Sequence, residues 1–318
     1  MLPRPSLNRY MASVDATEAD TLMVGLPFDG TCSFRPGARF GPAALRDVSF
    51  GIETYSPYLD RDLEDIRFSD LGDLELPIGN REKVLAEIEA FARSVPDRKI
   101  LGLGGEHLVS YPLMKVMAER HPDLHVVQFD AHCDLREDYM GEVYSHATVM
   151  RLIAGHIGPS NIHQLGIRSG TREEFHYARE HQTLVPARKE DVESLRPRLE
   201  GKPVYLTIDL DVLDPSIFPG TGTPEPGGIT FDVMMALLKR LDGLNLVGAD
   251  IVELAPHYDP TGVSSVVAAK IAREVLLMMS PNHGPSGPTE RLSGAESAMS
   301  PLHGTETEPG VTSQAVSV

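Results

Sequence analysis

Three short stretches of this sequence gather carboxylates and imidazoles at spacings that could do chemistry. The apolar run Leu124–Phe129 ends in Asp130-Ala131-His132-Cys133-Asp134. Side chains on a strand alternate between faces, so an extended path through this segment aims Asp130, His132 and Asp134 one way and Cys133 the other. The run Val204–Ile208 ends in Asp209-Leu210-Asp211, a second carboxylate pair at the same spacing. A third run, Lys99–Leu103, leads through Gly104-Gly105, which permits close backbone approach, to Glu106-His107. Together His107, Asp130, His132, Asp134, Asp209 and Asp211 make a cluster of carboxylates that repel one another unless cations neutralise them. One divalent ion leaves four carboxylates about two charges short, and two ions balance them. Oxygen-rich donors with a minority of imidazoles favour manganese over zinc. Carboxylates also bridge, so six side chains can hold two ions, as in two-metal hydrolases, and a water between the ions becomes a hydroxide nucleophile near neutral pH. Each motif alone has a plainer reading, such as a packed core histidine or a capping aspartate before Asp214-Pro215. Their joint occurrence at three apolar strand ends favours coordination, because uncompensated charge there is costly.

These ends must be held by a scaffold, and the apolar pattern outlines one. Leu22–Gly25, Lys99–Leu103, Leu124–Phe129, Ile162–Ile167, Val204–Ile208 and Leu246–Val252 read as buried strands. Between them, Val84, Ile88, Phe91 and Val95 recur at helical spacing, as do Val263, Val267, Ile271 and Val275. Val233, Leu237 and Leu241 mark another helix, which Thr230 is placed to cap. Alternating strands and helices predict an α/β domain whose mainly parallel sheet is covered on both faces, with its chemistry at the carboxyl ends of the strands. Cys133 is expected in the core. Gly102-Leu103-Gly104-Gly105 lacks the following Lys-Ser/Thr of a phosphate loop. His156, His163 and His181 are expected in solvated helical or loop positions.

The chain has 318 residues and a net charge of −17, from 46 acidic and 29 basic side chains. That balance argues against nucleic acid or an anionic membrane as partner, and suits a small cationic substrate. No apolar run approaches the roughly 20 residues of a membrane span, and residues 1–19, read as an N-terminal extension, lack the apolar segment of a secretory signal. Two cysteines, Cys32 and Cys133, make no disulfide framework, so a cytoplasmic enzyme is expected. Residues 20–280 form the predicted catalytic domain. More than half of residues 281–318 are Pro, Gly, Ser or Thr, which predicts a disordered tail.

The motifs at 104–107, 130–134 and 209–215 resemble, in order and spacing, the metal-binding signatures of the ureohydrolases, the family of arginase, agmatinase and their relatives. Phe34-Arg35-Pro36-Gly37-Ala38-Arg39-Phe40-Gly41-Pro42, the segment 219–225 and Asp250-Ile251-Val252-Glu253 extend the resemblance over residues 20–280. It implies a three-layer α/β/α sandwich and two manganese ions per chain, one held by His107, Asp130, Asp134 and Asp209, the other by His132, Asp130, Asp209 and Asp211. It implies that Glu253 binds the substrate guanidinium, that His146 passes a proton to the departing amine together with Asp134, and that the enzyme assembles as a homotrimer or hexamer. The segment 135–146 lacks the Asn-rich run of arginases and is similar to the agmatinase version, and its Glu137, Asp138 and Glu142 are expected to add negative potential near the entrance, favouring a substrate cationic at both ends. The expected reaction is hydrolysis of agmatine to urea and putrescine. Guanidinobutyrate, guanidinopropionate, arginine or formimidoylglutamate are the alternative substrates, Arg136 being a possible partner for a carboxylate. A catalytically silent assembly subunit is the reading from another class.

Overall fold

A computed structural model describes residues 8–283 of the chain. The strands are β1 (Thr21–Leu26), β2 (Tyr55–Ser56), β3 (Arg61–Asp62), β4 (Phe68–Asp73), β5 (Lys99–Gly104), β6 (His125–Phe129), β7 (Ile162–Leu165), β8 (Leu184–Val185), β9 (Pro203–Asp209) and β10 (Asn245–Val252). The helices are α1 (Gly41–Ser49), α2 (Arg81–Ser94), α3 (Ser110–Arg120), α4 (Val149–Ile157), α5 (Arg172–Glu180), α6 (Lys189–Leu199), α7 (Phe231–Leu241) and α8 (Val263–Met279). Eight strands pair in the order β4-β1-β5-β10-β9-β6-β7-β8, every pairing parallel, while β2 and β3 make a small antiparallel pair.

Alternation along each strand feeds two separate cores. Met23, Leu101, Leu103, Val127, Phe129, Leu206 and Ile208 pack with residues of α1, α6, α7 and α8. Val24, Ile100, Val126 and Tyr205 point the other way and pack with α2, α3, α4 and α5. A sheet buried on both faces between two helical layers is the three-layer α/β/α sandwich, and it explains why these strands read as continuous apolar runs. The predicted strands fall within one residue of those observed, except that β7 stops at Leu165 rather than Ile167. Thr230 does cap α7, its Oγ1 accepting the Val233 N–H at 3.3 Å.

The edge strand β4 escaped the sequence reading because its buried side chains include Ser69 and Asp70. Asp70 is tolerated there because Arg46, itself buried on α1, donates to it at 2.7 and 3.0 Å. Residues 8–19 run onto the domain, with Tyr10 and Met11 buried and the Tyr10 hydroxyl donating to the Ala269 carbonyl of α8. The predicted tail lies outside the described residues from position 284 onward. No helix among the described residues is long and apolar enough to cross a membrane.

Candidate active site

β5, β6, β9 and β10 lie side by side in the sheet, so the segments leaving their carboxyl ends converge. β5 delivers Glu106 and His107, β6 leads to Asp130, His132 and Asp134, β9 ends in Asp209 with Asp211 just beyond, and Glu253 follows β10. His107 Nδ1 stands 3.1 Å from Asp130 Oδ2, 3.0 Å from Asp134 Oδ2 and 3.4 Å from Asp209 Oδ2. His132 Nδ1 stands 2.9 Å from Asp211 Oδ2 and 3.6 Å from Asp130 Oδ1. These form two ligand groups that share Asp130, one oxygen turned to each. All six predicted ligands are therefore brought together.

The path is not the uninterrupted strand that alternation suggests. β6 stops at Phe129, and Asp134 has a left-handed backbone, φ 52°. That turn swings the Asp134 carboxylate back toward His107 at a strain of about 1–3 kcal/mol. The Asp134 carbonyl is held in place by N–H groups of Met150 (2.9 Å) and Arg151 (3.2 Å) in the first turn of α4. Glu253 is likewise left-handed, φ 65°, with its N–H on the Gly105 carbonyl at 2.8 Å.

His107 shows what the cluster is built to hold. Thr207 Oγ1 gives its proton to Asp250 Oδ1 at 2.6 Å, so at His107 Nε2, 2.9 Å away, it can only accept. The imidazole proton is thereby committed to Nε2. Nδ1 is buried without a hydrogen-bond partner and faces three carboxylate oxygens, a position that only a proton or a metal ion can fill. A lone pair among anions is stable only around a cation. Charge tells the same story. Burial disfavours the charged imidazole of His107, yet Asp130, Asp134 and Asp209 outweigh it and push its pKa well above the usual value. His132 is pushed up to about 12 against its own burial, by Asp211 and Asp130. Burial, then Asp211 and Asp130, raises Asp209 far above the carboxylate range, and burial with Asp130 lifts Asp134 to about 7. A cluster that draws protons this strongly calls for positive charge, and its donor set of nitrogens and carboxylate oxygens fits divalent metal ions.

The ligands rest on a layer that the sequence did not single out. Gln128 Nε2 donates to Asp130 Oδ2 at 2.6 Å, and Gln164 Nε2 donates to Gln128 Oε1 at 2.7 Å. Thr183 Oγ1 donates in turn to Gln164 Oε1 at 2.7 Å. Gln128, Gln164, Thr183, Thr207 and Asp250 are all buried polar residues inside or beside apolar runs, and that mismatch was the available signal. Ala131 N–H fixes Asp211 Oδ1 at 3.0 Å, and Asp211 N–H fixes Asp209 Oδ1 at 2.9 Å.

The cluster floors a cavity of about 270 Å³, whose lining also includes Arg136, Tyr139, His146, Glu174 and Glu253. Glu253 Oε1 accepts the His107 N–H at 2.9 Å. Burial, then the neighbouring Glu106, pushes its pKa well above the usual range, so a cationic ligand is what it lacks. His146 is the first residue of the short helical turn before α4, which Ser145 caps, and it lies beside Thr31 and edge-on to the Tyr139 ring at 5.5 Å. Burial, with the charges of His132 and His107, pulls its pKa down to about 4. Arg136 lies over the Tyr139 ring at 4.7 Å with Nε 3.4 Å from Glu174 Oε2, so its charge is already engaged.

Some expectations need correction. Glu137 and Glu142 are spent on Arg151 and Arg81, and Asp138 accepts the Gly141 N–H, so none of the three lines the cavity. His163 is not solvated: it is fully buried in β7, stacked on His125 with ring centroids 5.3 Å apart. A polar residue in an apolar run can face the core when a neighbouring ring covers it. His156, exposed on α4, and His181, half-buried at the end of α5, do sit in helical or loop positions as expected, the first 3.1 Å from the Tyr111 hydroxyl and the second packed against Tyr177. Cys133 is buried in the second core, as expected.

Comparison with known proteins agrees with this geometry. Residues 19–278 match the model of the arginase family. The chain is 49% identical over 268 residues to an agmatinase of Bacillus anthracis, covering 82% of this chain and 92% of that protein. It is 32% identical over 290 residues to the mitochondrial guanidino acid hydrolase of Homo sapiens, covering 85% and 81%. A crystal structure from Clostridium difficile superposes with a TM-score of 0.81 at 47% identity, covering 84% of this chain and 99% of that one. With the ligand cluster, the parallel sandwich and these relatives in agreement, the chain belongs to the arginase family and is an enzyme acting on guanidino compounds.

Proposed function

We propose that the enzyme hydrolyses agmatine to urea and putrescine with two manganese ions per chain. His107, Asp130, Asp134 and Asp209 would hold one ion and His132, Asp130, Asp209 and Asp211 the other, so that Asp130 and Asp209 bridge. The observation that carries the metal reading is the buried His107 Nδ1 lone pair set among three carboxylates. When bound, such a pair of ions neutralises the cluster and lowers the proton affinity of a water between them.

The remaining roles fall to side chains of the cavity. Glu253, with one oxygen held by the His107 N–H, can accept N–H bonds from the planar guanidinium and fix the guanidino carbon over the cluster. The water oxygen bonds to that carbon, the bond to the alkyl nitrogen breaks, and the departing amine takes up a proton. His146 lines the same cavity and can carry that proton, with Asp134 of the ligand cluster as its partner.

The choice of agmatine is supported by the 49% identity to an agmatinase, against 32% to a guanidino acid hydrolase. Arg136 adds to it, because its guanidinium stacks on Tyr139 and Glu174 beside it offsets the charge that a substrate carboxylate would meet. Release of urea and putrescine in equal amounts from agmatine, dependent on manganese and abolished by a chelator, tests the reading. Urea appearing from arginine or guanidinobutyrate but not agmatine overturns the substrate assignment.

A further inference from the structure

The loop between β1 and α1 contributes no carboxylate or imidazole to the metal cluster, yet one hydroxyl in it joins two side chains at the site. Thr31 Oγ1 donates to Glu106 Oε1 at 2.7 Å, and the Thr31 N–H donates to Glu106 Oε2 at 2.8 Å. On its other side Thr31 Oγ1 accepts the His146 backbone N–H at 3.1 Å and lies 3.2 Å from His146 Nδ1. Burial raises the Glu106 pKa to about 8, and a protonated Glu106 would turn the hydroxyl round. With Glu106 ionised, Thr31 gives it the hydroxyl's one proton, so toward His146 it can only accept. The imidazole proton then sits on Nδ1, and Nε2 is the basic nitrogen left to the cavity. Ser145 Oγ is the other polar atom near Nδ1, but it stands at 3.5 Å and takes the Ala147 N–H.

The chain path makes this arrangement part of the fold. The Gly105 N–H bonds to the Leu26 carbonyl at 2.9 Å, and the Glu106 N–H to the Phe28 carbonyl at 2.7 Å. A side chain at Gly105 would lie 1.9 Å from the Phe28 oxygen, so only glycine lets the loop zip onto the end of β5 and carry Thr31 to Glu106. Glu106 itself is 1% exposed, too deep to touch a substrate directly.

We propose that Thr31 and Glu106 are positioning residues for His146, fixing its ring orientation and holding it as the Nδ1–H tautomer. This rests on the reading of His146 as the proton carrier. In that role Nε2 takes the proton that the attacking water loses and returns it to the departing amine nitrogen as the carbon–nitrogen bond breaks. The Nδ1 proton stays on the bond to Thr31 throughout, and Glu106 neither gains nor loses one.

The test is a double-mutant cycle on the manganese-loaded enzyme, run with whichever guanidino compound the wild type turns over best. It therefore stands even if agmatine is not that compound. Thr31→Val should lower kcat about 10–100-fold, the usual cost of losing an orienting hydrogen bond, with KM and metal content within about twofold of wild type. Thr31→Ser, which keeps the hydroxyl, should restore most of the rate. Glu106→Gln, whose amide can donate to Thr31 and turn that hydroxyl round, should cost as much as the valine variant. Thr31→Ala takes the place of Thr31→Val if the latter fails to fold. In a His146→Ala background, Thr31→Val should change kcat by less than about twofold, because the group it serves is gone. A Thr31→Val penalty of the same size with and without His146, or a serine variant as slow as the valine one, would overturn the proposal.

Discussion

Replacing Thr207 by Val removes one hydroxyl and should loosen the metal centre without touching a ligand. The hydroxyl accepts the His107 Nε2–H at 2.9 Å, so its loss leaves a buried donor unpaired at a cost of about 1–3 kcal/mol. The ring can escape that cost by moving its proton to Nδ1, where three carboxylate oxygens within 3.4 Å accept it. In that tautomer Nδ1 has no lone pair for a metal, so binding must first reverse the exchange. At about 1.4 kcal/mol per tenfold, the metal should bind roughly 10–100-fold more weakly. Chelator competition with manganese measures this directly, and Thr207→Ser should restore wild-type affinity. The apoprotein should be less affected, since its imidazole finds new partners in the cluster. Metal affinity within twofold of wild type in Thr207→Val would refute the tautomer argument and, with it, the assignment of Nδ1 as the ligand atom.

Other consequences are open to equally plain measurements. Asp209→Ala should remove more metal per chain than His132→Ala, because a bridging carboxylate serves both ions; elemental analysis of the purified variants decides, and two retained ions with normal turnover would contradict bridging. His146→Ala should keep both ions and lose about 10²–10⁴ in kcat, the scale of a positioned proton carrier, whereas unchanged turnover would make it a bystander. His163 has its pKa pushed down to about 3 by burial, then by the charges of Arg198 and His125. The unfolded chain therefore protonates it first, near pH 6.5, so folding stability falls as pH drops from there toward 3, by up to about 1.4 kcal/mol per pH unit. His163→Asn should flatten that part of the pH dependence in urea unfolding, and parallel curves for variant and wild type would show that His163 is not the group responsible.

The strand ends were readable from sequence because a parallel sheet covered on both faces concentrates apolar residues in uninterrupted runs, and a carboxylate closing such a run stands out. What stayed hidden was polar and buried. Asp70 in β4 depends on Arg46, which is 24 residues away, and no local pattern announces that pairing. Gln128, Gln164 and Thr207 sit within strands that read simply as apolar, and their purpose emerges only once Asp130 and His107 are seen to lean on them. Asp134 shows the limit of periodicity: its type and spacing were right, but alternation implied an extended backbone where the chain turns left-handed. The acidic segment 137–142 misled in the opposite sense, since nearness in sequence to the metal motif did not place it on the cavity.

The central claim is that a two-metal centre releases urea from agmatine in preference to other guanidino compounds. Steady-state kcat/KM for agmatine, arginine and guanidinobutyrate, at fixed manganese and pH with metal content measured on the same sample, tests it most directly. Two ions per chain and agmatine ahead of both competitors are expected, with urea and putrescine in equal amounts. Full activity with no bound metal, or arginine or guanidinobutyrate turned over at least as efficiently as agmatine, would contradict it.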